Sequence, residues 1–160
     1  VGGPNNYYDF NEKEIGFLFN KIKIIFSPDK YKLIVVPSYR TPKNIIDMSF
    51  GVFGDDHVVV KSVDKKAYLS ALSLADYIVV TSDSTSMISE SAVTGKPIYI
   101  ANMKAKKSSK RFNKFYNQFK QMKIIRDLEN NIETWGYNKL DEASRVAAII
   151  KKKMNLNGIN

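Results

Sequence analysis

Residues Tyr77 to Ala101 read Y-I-V-V-T-S-D-S-T-S-M-I-S-E-S-A-V-T-G-K-P-I-Y-I-A. The run Tyr77-Ile78-Val79-Val80 has no polar alternation, which is the pattern of a strand covered on both faces. A hydroxyl-rich turn, Thr81-Ser82-Asp83-Ser84-Thr85-Ser86, follows it. Ser86 to Thr94 then reads as a short helix, Gly95 ends it, and Pro97 to Ala101 is a second strand. Strand, helix and strand joined by such short connections form a right-handed βαβ unit, whose two strands run parallel.

The same alternation extends in both directions. Upstream, Val1-Gly2-Gly3-Pro4 reads as the end of a strand and a turn, with the strand body upstream. Asn11 to Phe26 carries Ile15, Leu18, Phe19, Ile22 and Phe26 at helical spacing, with Asn11 as N-cap and Pro28 as the stop. Leu33 to Val36 is a strand, Pro42 to Phe53 a helix with proline in its first turn, His57 to Val60 a strand, and Lys65 to Ala75 a helix. Downstream, Arg111 to Met122 is a helix, Ile124-Ile125 a short strand, and Leu140 to Met154 a closing helix. The expected fold class is α/β: a Rossmann-like parallel sheet with helices on both faces. One domain, 1–154, is expected, with 155–160 as a frayed tail. The glycine turn after the first strand places Val1–Gly3 beside Tyr77–Val80 at the centre of the sheet.

Composition narrows the chemistry. The 160 residues include no cysteine and one histidine, His57. Disulfides, thiolate zinc sites, iron–sulfur clusters, cysteine nucleophiles and multi-histidine metal sites are thereby excluded within this chain. No metal and no cofactor is expected. No stretch approaches the roughly 20 apolar residues of a membrane-spanning helix. The chain starts without methionine or signal peptide. It reads as a soluble, cytoplasmic domain of a longer protein, with a peripheral membrane position left open. The net charge is +9, but lysine outnumbers arginine by 21 to 4. Lysine is a solvated point charge, whereas arginine makes the bidentate phosphate and base contacts of nucleic-acid readers. The charge reads mainly as lysine-rich composition, and no nucleic-acid partner is expected.

Parallel sheets gather ligands outside the carboxyl ends of their strands. That rule selects four loops: residues 2–5, residues 38–42, Ser82 to Met87, and Asn102 to Arg111. The turn from Ser84 to Met87 leads into a helix, so free backbone N–H groups and the positive end of the helix dipole meet at one spot. A diphosphate is a natural occupant. Glu90, farther inside the helix, is placed to accept from ribose hydroxyls. The competing reading is that Ser and Asp here merely cap the helix.

Several segments together resemble a known family. They are Gly2-Gly3-Pro4, Arg40-Thr41-Pro42, Ala75-Asp76, Thr81-Ser82-Asp83-Ser84, Ser86-Met87-Ile88-Ser89-Glu90 and Thr94-Gly95-Lys96-Pro97. In this order they resemble the "elongated mitochondria", or mitochondrial-fission-type, family of plants and proteobacteria. The resemblance runs from Val1 to about Lys153 and takes in Arg111-Phe112, Trp135 and Arg145-Val146-Ala147. The family is similar to the C-terminal, nucleotide-binding half of GT-B glycosyltransferases. The resemblance therefore implies binding of a nucleoside-diphosphate sugar, with an N-terminal domain outside this chain. By position, Ser84, Thr85, Ser86 and Met87 meet the diphosphate and Glu90 the ribose, while Gly2 and Gly3 line the cleft. Arg40 serves alone, because Tyr39 stands where relatives carry a second arginine. Lys66-Ala67-Tyr68 likewise replaces the more usual Asn-Pro-Tyr. No catalytic residue is assigned. An alternative is a non-catalytic interaction protein on a degenerate GT-B-like fold, since plant relatives are implicated in organelle division.

The remaining candidates have plainer readings. His57, among valines, is a structural residue; Asp55-Asp56 is a surface turn. The stripe Phe112, Phe115, Tyr116, Phe119 is core at helical spacing, its alternative a docking face for the other half. Lys104, Lys106, Lys107 and Lys110 are a solvated loop, or a contact for phosphate or an anionic lipid acceptor.

Overall fold

A computed structural model of the chain describes residues 1–8 and 10–156. In chain order the elements are α1 (Glu12–Ile25), β1 (Ile34–Val35), α2 (Lys43–Phe53), β2 (Val58–Val59), α3 (Lys65–Leu74), β3 (Ile78–Thr81), α4 (Thr85–Ala92), β4 (Ile98–Ala101), α5 (Lys110–Gln121), β5 (Ile125–Asp127) and α6 (Glu142–Leu156). Every strand pairing among them is parallel. The α/β class and the alternation read from the sequence are those of the structure. The closing helix runs to Leu156, two residues past Met154; the rest of the expected frayed tail, 157–160, lies outside the described residues.

The strands form two sheets, β1-β2 and β3-β4-β5, and not one continuous sheet. Val1–Gly3 lies between them. The Val1 amine donates to the Val36 carbonyl at 2.9 Å, and the Ser38 N–H donates to the Val1 carbonyl at 3.0 Å, as a parallel strand opposite Pro37 would bond. On the other side the Gly2 N–H donates to Thr81 Oγ1 at 2.8 Å. The glycine turn is thus beside the end of β3, as its sequence suggested.

Burial follows the strand period. On β4, Ile98 and Ile100 pack with Ile78, Val80, Ile88 and Phe119, while Tyr99 and Ala101 pack with Phe26 and Leu128 on the opposite face. Helices α4 and α5 therefore cover one face and α1 the other. Ile15 and Phe19 of α1 join Ile45 and Phe53 of α2 in a third cluster against the smaller sheet. Each such fully buried side chain contributes about 1.5–3 kcal/mol. Phe112 and Phe119 of α5 are buried, and Phe115 stacks on Phe119 at 4.2 Å, so the aromatic stripe is core.

Helix starts differ in a way that bears on function. Asn11 accepts from the Lys13 N–H, Asp64 from Lys66 and Ala67, and Ser109 from Phe112, capping α1, α3 and α5. Helices α2 and α4, which follow β1 and β3, begin at Pro42 and Ser84 with no side-chain cap.

Candidate functional site

The first turn of α4 sits beside a buried carboxylate. The Asp83 side chain is wholly enclosed, while Arg40 is 40% exposed, and Arg40 Nη2 donates to Asp83 Oδ2 at 2.7 Å. The same Oδ2 accepts from the Gly3 N–H at 3.0 Å. Arg40 Nη1 donates to the carbonyls of Gly3, at 2.6 Å, and Pro4, at 3.3 Å. Asn5 donates to the Asp83 carbonyl at 3.2 Å. Thr41 Oγ1, placed by the turn before α2, meets the carbonyls of Val1 and Gly2 at 3.0 and 2.6 Å. The loops after β1 and β3 and the N-terminal glycines are thereby tied into one unit, as the topology of parallel sheets demands.

Both glycines are needed for that closeness. A Cβ on Gly2 would lie 2.1 Å from Asp83 Oδ2, and one on Gly3 would lie 1.9 Å from the Arg40 carbonyl oxygen. Gly2 and Gly3 are buried against these neighbours. Their role here is to admit Asp83 and Arg40, a packing role that the sequence-based expectation of a cleft lining did not include.

Of the expected diphosphate residues, Ser84 is buried, Thr85 and Met87 are half-buried, and Ser86 is exposed. Ser84 occupies the N-cap position without capping, and Asp83 is spent on Arg40 and Gly3. The simple capping reading therefore fails for both residues. Glu90 is exposed and lies four residues after Ser86, so both are on one face of α4. The buried Tyr68 hydroxyl of α3, without a well-formed hydrogen bond, adjoins the Glu90 carboxylate. Burial and that carboxylate push the Tyr68 phenol well above its ordinary pKa.

A further polar hollow lies at the ends of β3, β4 and β5, lined by Tyr8, Ser82, Asn102, Asn113, Asn117 and Asp127 among others. Tyr116 donates to the Ser82 carbonyl there, and Asp127 accepts from Lys120 at 2.5 Å and Asn102 at 2.9 Å. Those bonds to Lys120 and Asn102 hold the Asp127 carboxyl below its ordinary pKa, outweighing its partial burial. The residues lining the hollow come from the N-terminal segment, the loops after β3 and β4, α5 and the end of β5, so no single sequence motif announces it. The lysine loop leans on the same N-terminal segment: Lys107 lies over the Tyr7 ring at 5.1 Å.

His57 is 5% exposed and its Nδ1 accepts the Leu33 N–H at 3.3 Å. It stands ahead of β2, at the end of the sheet away from Arg40 and the first turn of α4. Desolvation lowers its pKa and keeps it neutral. Asp55 is exposed and Asp56 pairs with Lys23 at 3.3 Å, a surface turn. Among the described residues no group of three or more His, Cys, Asp or Glu is placed to hold a metal, and no helix is long and apolar enough to cross a membrane.

The Val1 amine is enclosed although its side chain is half-buried. Desolvation lowers its pKa from 8.0 to about 6, against an opposing pull from Asp83. Between pH 6 and 8 the unfolded chain therefore binds more protons than the folded one, and stability rises with pH. For the chain with a free α-amine, going from pH 8.5 to 5.5 should cost on the order of 2 kcal/mol from this group. His57 adds to the loss at the acid end. Urea titrations at the two pH values, repeated after N-terminal acetylation, measure the amine's share. An unchanged slope after acetylation would assign the pH dependence elsewhere.

The sequence model of the family described as Mitochondrial fission ELM1 matches residues 1–154. Uncharacterized protein RP120 of Rickettsia prowazekii is 34% identical over 165 residues, covering 98% of this chain and 46% of that protein. The Mitochondrial fission protein ELM1 of Arabidopsis thaliana is 29% identical over 126 residues, covering 76% of this chain and 29% of that protein. The chain thus spans less than half the length of either curated relative. No solved structure matches it.

Proposed function

The chain belongs to the Mitochondrial fission ELM1 family, and from that premise we propose that this domain binds a nucleoside-diphosphate sugar on the rim where β1 and β3 end. The observation that carries the reading is the pair of helix starts. Helices α2 and α4 both begin on this rim with first turns that no side chain caps, so orphan N–H groups and two helix dipoles remain for an anion. Arg40 commits three of its five N–H donors to Gly3, Pro4 and Asp83, leaving Nε and one Nη2 hydrogen for phosphate oxygens. The Arg40–Asp83 pair is neutral as a unit, so attraction for the diphosphate comes chiefly from the helix ends. Such donors suit a departing diphosphate if the sugar is transferred to an acceptor.

Glu90 would accept from the ribose hydroxyls on the exposed face it shares with Ser86. Hydrogen bonds to a charged acceptor contribute about 1.5–3 kcal/mol, so Glu90→Gln should weaken nucleotide binding roughly 10–150-fold. Stability should hardly change, because the side chain is exposed. Calorimetric titration with uridine, guanosine and adenosine diphosphates, wild type beside variant, tests both parts. Equal affinities would remove the ribose assignment. No saturable binding of any of the three would remove the diphosphate reading.

A second reading, an interaction protein without catalysis, has one observation in its favour. Val146, Ile149, Ile150 and Met154 of α6 form an apolar stripe, each 44–52% exposed. Stripes of this kind mark docking faces. Retained function after substitution of Arg40 and Glu90, together with loss after Ile149→Lys, would favour it.

A further inference from the structure

The polar hollow at the ends of β3, β4 and β5 takes no part in the nucleotide reading, yet its walls are fixed and its groups unspent. Its volume is about 440 Å³, within the range of pockets that hold a small molecule. Ser82 and Asp83, neighbours in the chain, serve different places. Asp83 is bound by Arg40 and Gly3 on the rim. Ser82 Oγ instead accepts the Met103 N–H at 3.0 Å, and its carbonyl accepts from Tyr116. The Lys106 N–H donates to the Tyr7 carbonyl at 2.7 Å, Tyr8 bridges Ala105, and the Tyr8 ring stands edge-on to Phe112 at 5.7 Å. Inside these walls Asn113 and Asn117 make no side-chain hydrogen bond among the described residues. Lys120 gives Asp127 one of its three hydrogens and Asn102 gives it one of two, so each keeps donors to spare. The Lys120–Asp127 pair is neutral as a unit, but the surroundings are not. Lys104 follows Met103 in the loop after β4, and Lys110 lies one turn ahead of Asn113 on the same face of α5. Both are exposed, and neither has a carboxylate partner among the described residues. Residues 91–126 contain no Asp or Glu, so no acid of that segment offsets them.

We propose that this hollow binds a polyol or sugar phosphate, its hydroxyl-bearing ring among Asn102, Asn113, Asn117 and Asp127 and its phosphate against Lys104 and Lys110. A hydroxyl both donates and accepts. Three amides offer both functions, the Asp127 carboxylate accepts and Lys120 donates, so the set answers a ring of hydroxyls lying within it. An apolar ligand would strip water from these groups and leave them unpaired, which is costly. The two ammonium groups are point charges, which suit a phosphate monoester and need no planar partner. The site is separate from the diphosphate rim, and binding here does not depend on a nucleotide there. Its ligand is either a free sugar phosphate or the same chemistry carried as a lipid headgroup.

Calorimetric titration of the 160-residue chain with glucose-1-phosphate, inositol-1-phosphate, glucose and inorganic phosphate tests the assignment. One of the two polyol phosphates should bind at least about tenfold more tightly than glucose or inorganic phosphate, because only it engages both halves of the site. Asn117→Leu, at an exposed helical position, should remove that advantage, and so should Lys104→Gln combined with Lys110→Gln. Glu90→Gln, on the rim, should leave it unchanged, so failure of the nucleotide reading and failure of this one are told apart. Sedimentation with phosphatidylcholine vesicles carrying phosphatidylinositol, or the same share of phosphatidylserine, separates the two sources. Capture by the inositol lipid alone identifies a headgroup site, and soluble binding without capture identifies a free ligand. Three results would overturn the proposal: inorganic phosphate binding as tightly as the polyol phosphates, an advantage that survives Asn117→Leu, or no polyol phosphate binding with equal capture by both anionic vesicles or by neither.

Discussion

Arg40→Ala should unfold at markedly lower urea than the wild type, with a loss of about 2–4 kcal/mol. The reason is the partner left behind. Asp83 is wholly enclosed, and one of its oxygens, Oδ1, has no hydrogen bond even with Arg40 in place. Removing one member of a buried pair typically costs about 3–5 kcal/mol, and the 40% exposure of Arg40 admits some water to offset this. Replacing both residues by leucine should restore much of the loss, since no charge is then stranded. A chevron or equilibrium urea series on the two single variants and the double variant reads the coupling directly. Single losses that simply add in the double variant would mean that Arg40 and Asp83 act independently. The result also separates scaffold from ligand contact: a stability loss of this size marks Arg40 as a structural residue first and a phosphate contact second.

Gly3→Ala is expected to have an effect at least as large, about 3 kcal/mol or more, because the clash is with backbone. The added Cβ would lie 1.9 Å from the carbonyl oxygen of Arg40, and only a shift of the Ser38–Arg40 turn or of residues 1–4 relieves it. Overpacking that moves backbone costs about 1–3 kcal/mol and occasionally more. Either shift also breaks the bond from Gly3 N–H to Asp83. Gly2→Ala meets the same carboxylate at 2.1 Å, where a side-chain rotation gives partial relief, so its cost should be smaller. Thermal melts of the two variants rank them. A Gly3→Ala protein as stable as wild type would show that the loops after β1 and β3 are not locked together through these glycines.

How far the site was legible in the sequence differs residue by residue. The start of α4 after β3 is legible because helix starts and strand ends have local signals: a hydroxyl run after four apolar residues, then helical spacing. That Arg40 and the start of α4 share one rim is legible because strand ends converge in parallel sheets. Its tie to Asp83 was missed, since the two are 43 positions apart and nothing in either neighbourhood specifies the pairing. Asp83 itself looked like a cap. Helix capping is a local competition for N–H groups, and it was lost here to a long-range charge partner and to the Gly3 N–H. Tyr68 beside Glu90 was equally hidden, because helix-to-helix contacts depend on how α3 and α4 lie against the sheet.

The sequence by itself determined the α/β class, the parallel alternation and the core faces. These follow from periodicity and from the handedness of βαβ connections, both of which are properties of short stretches of chain. Only the tertiary structure decided that Gly2 and Gly3 serve close packing and that Arg40 answers a buried carboxylate. It also decided that β1-β2 and β3-β4-β5 form separate sheets with Val1–Gly3 between them. Each of these depends on distances between residues far apart in sequence, set by the summed packing of helices on both faces, and no local pattern encodes such a sum.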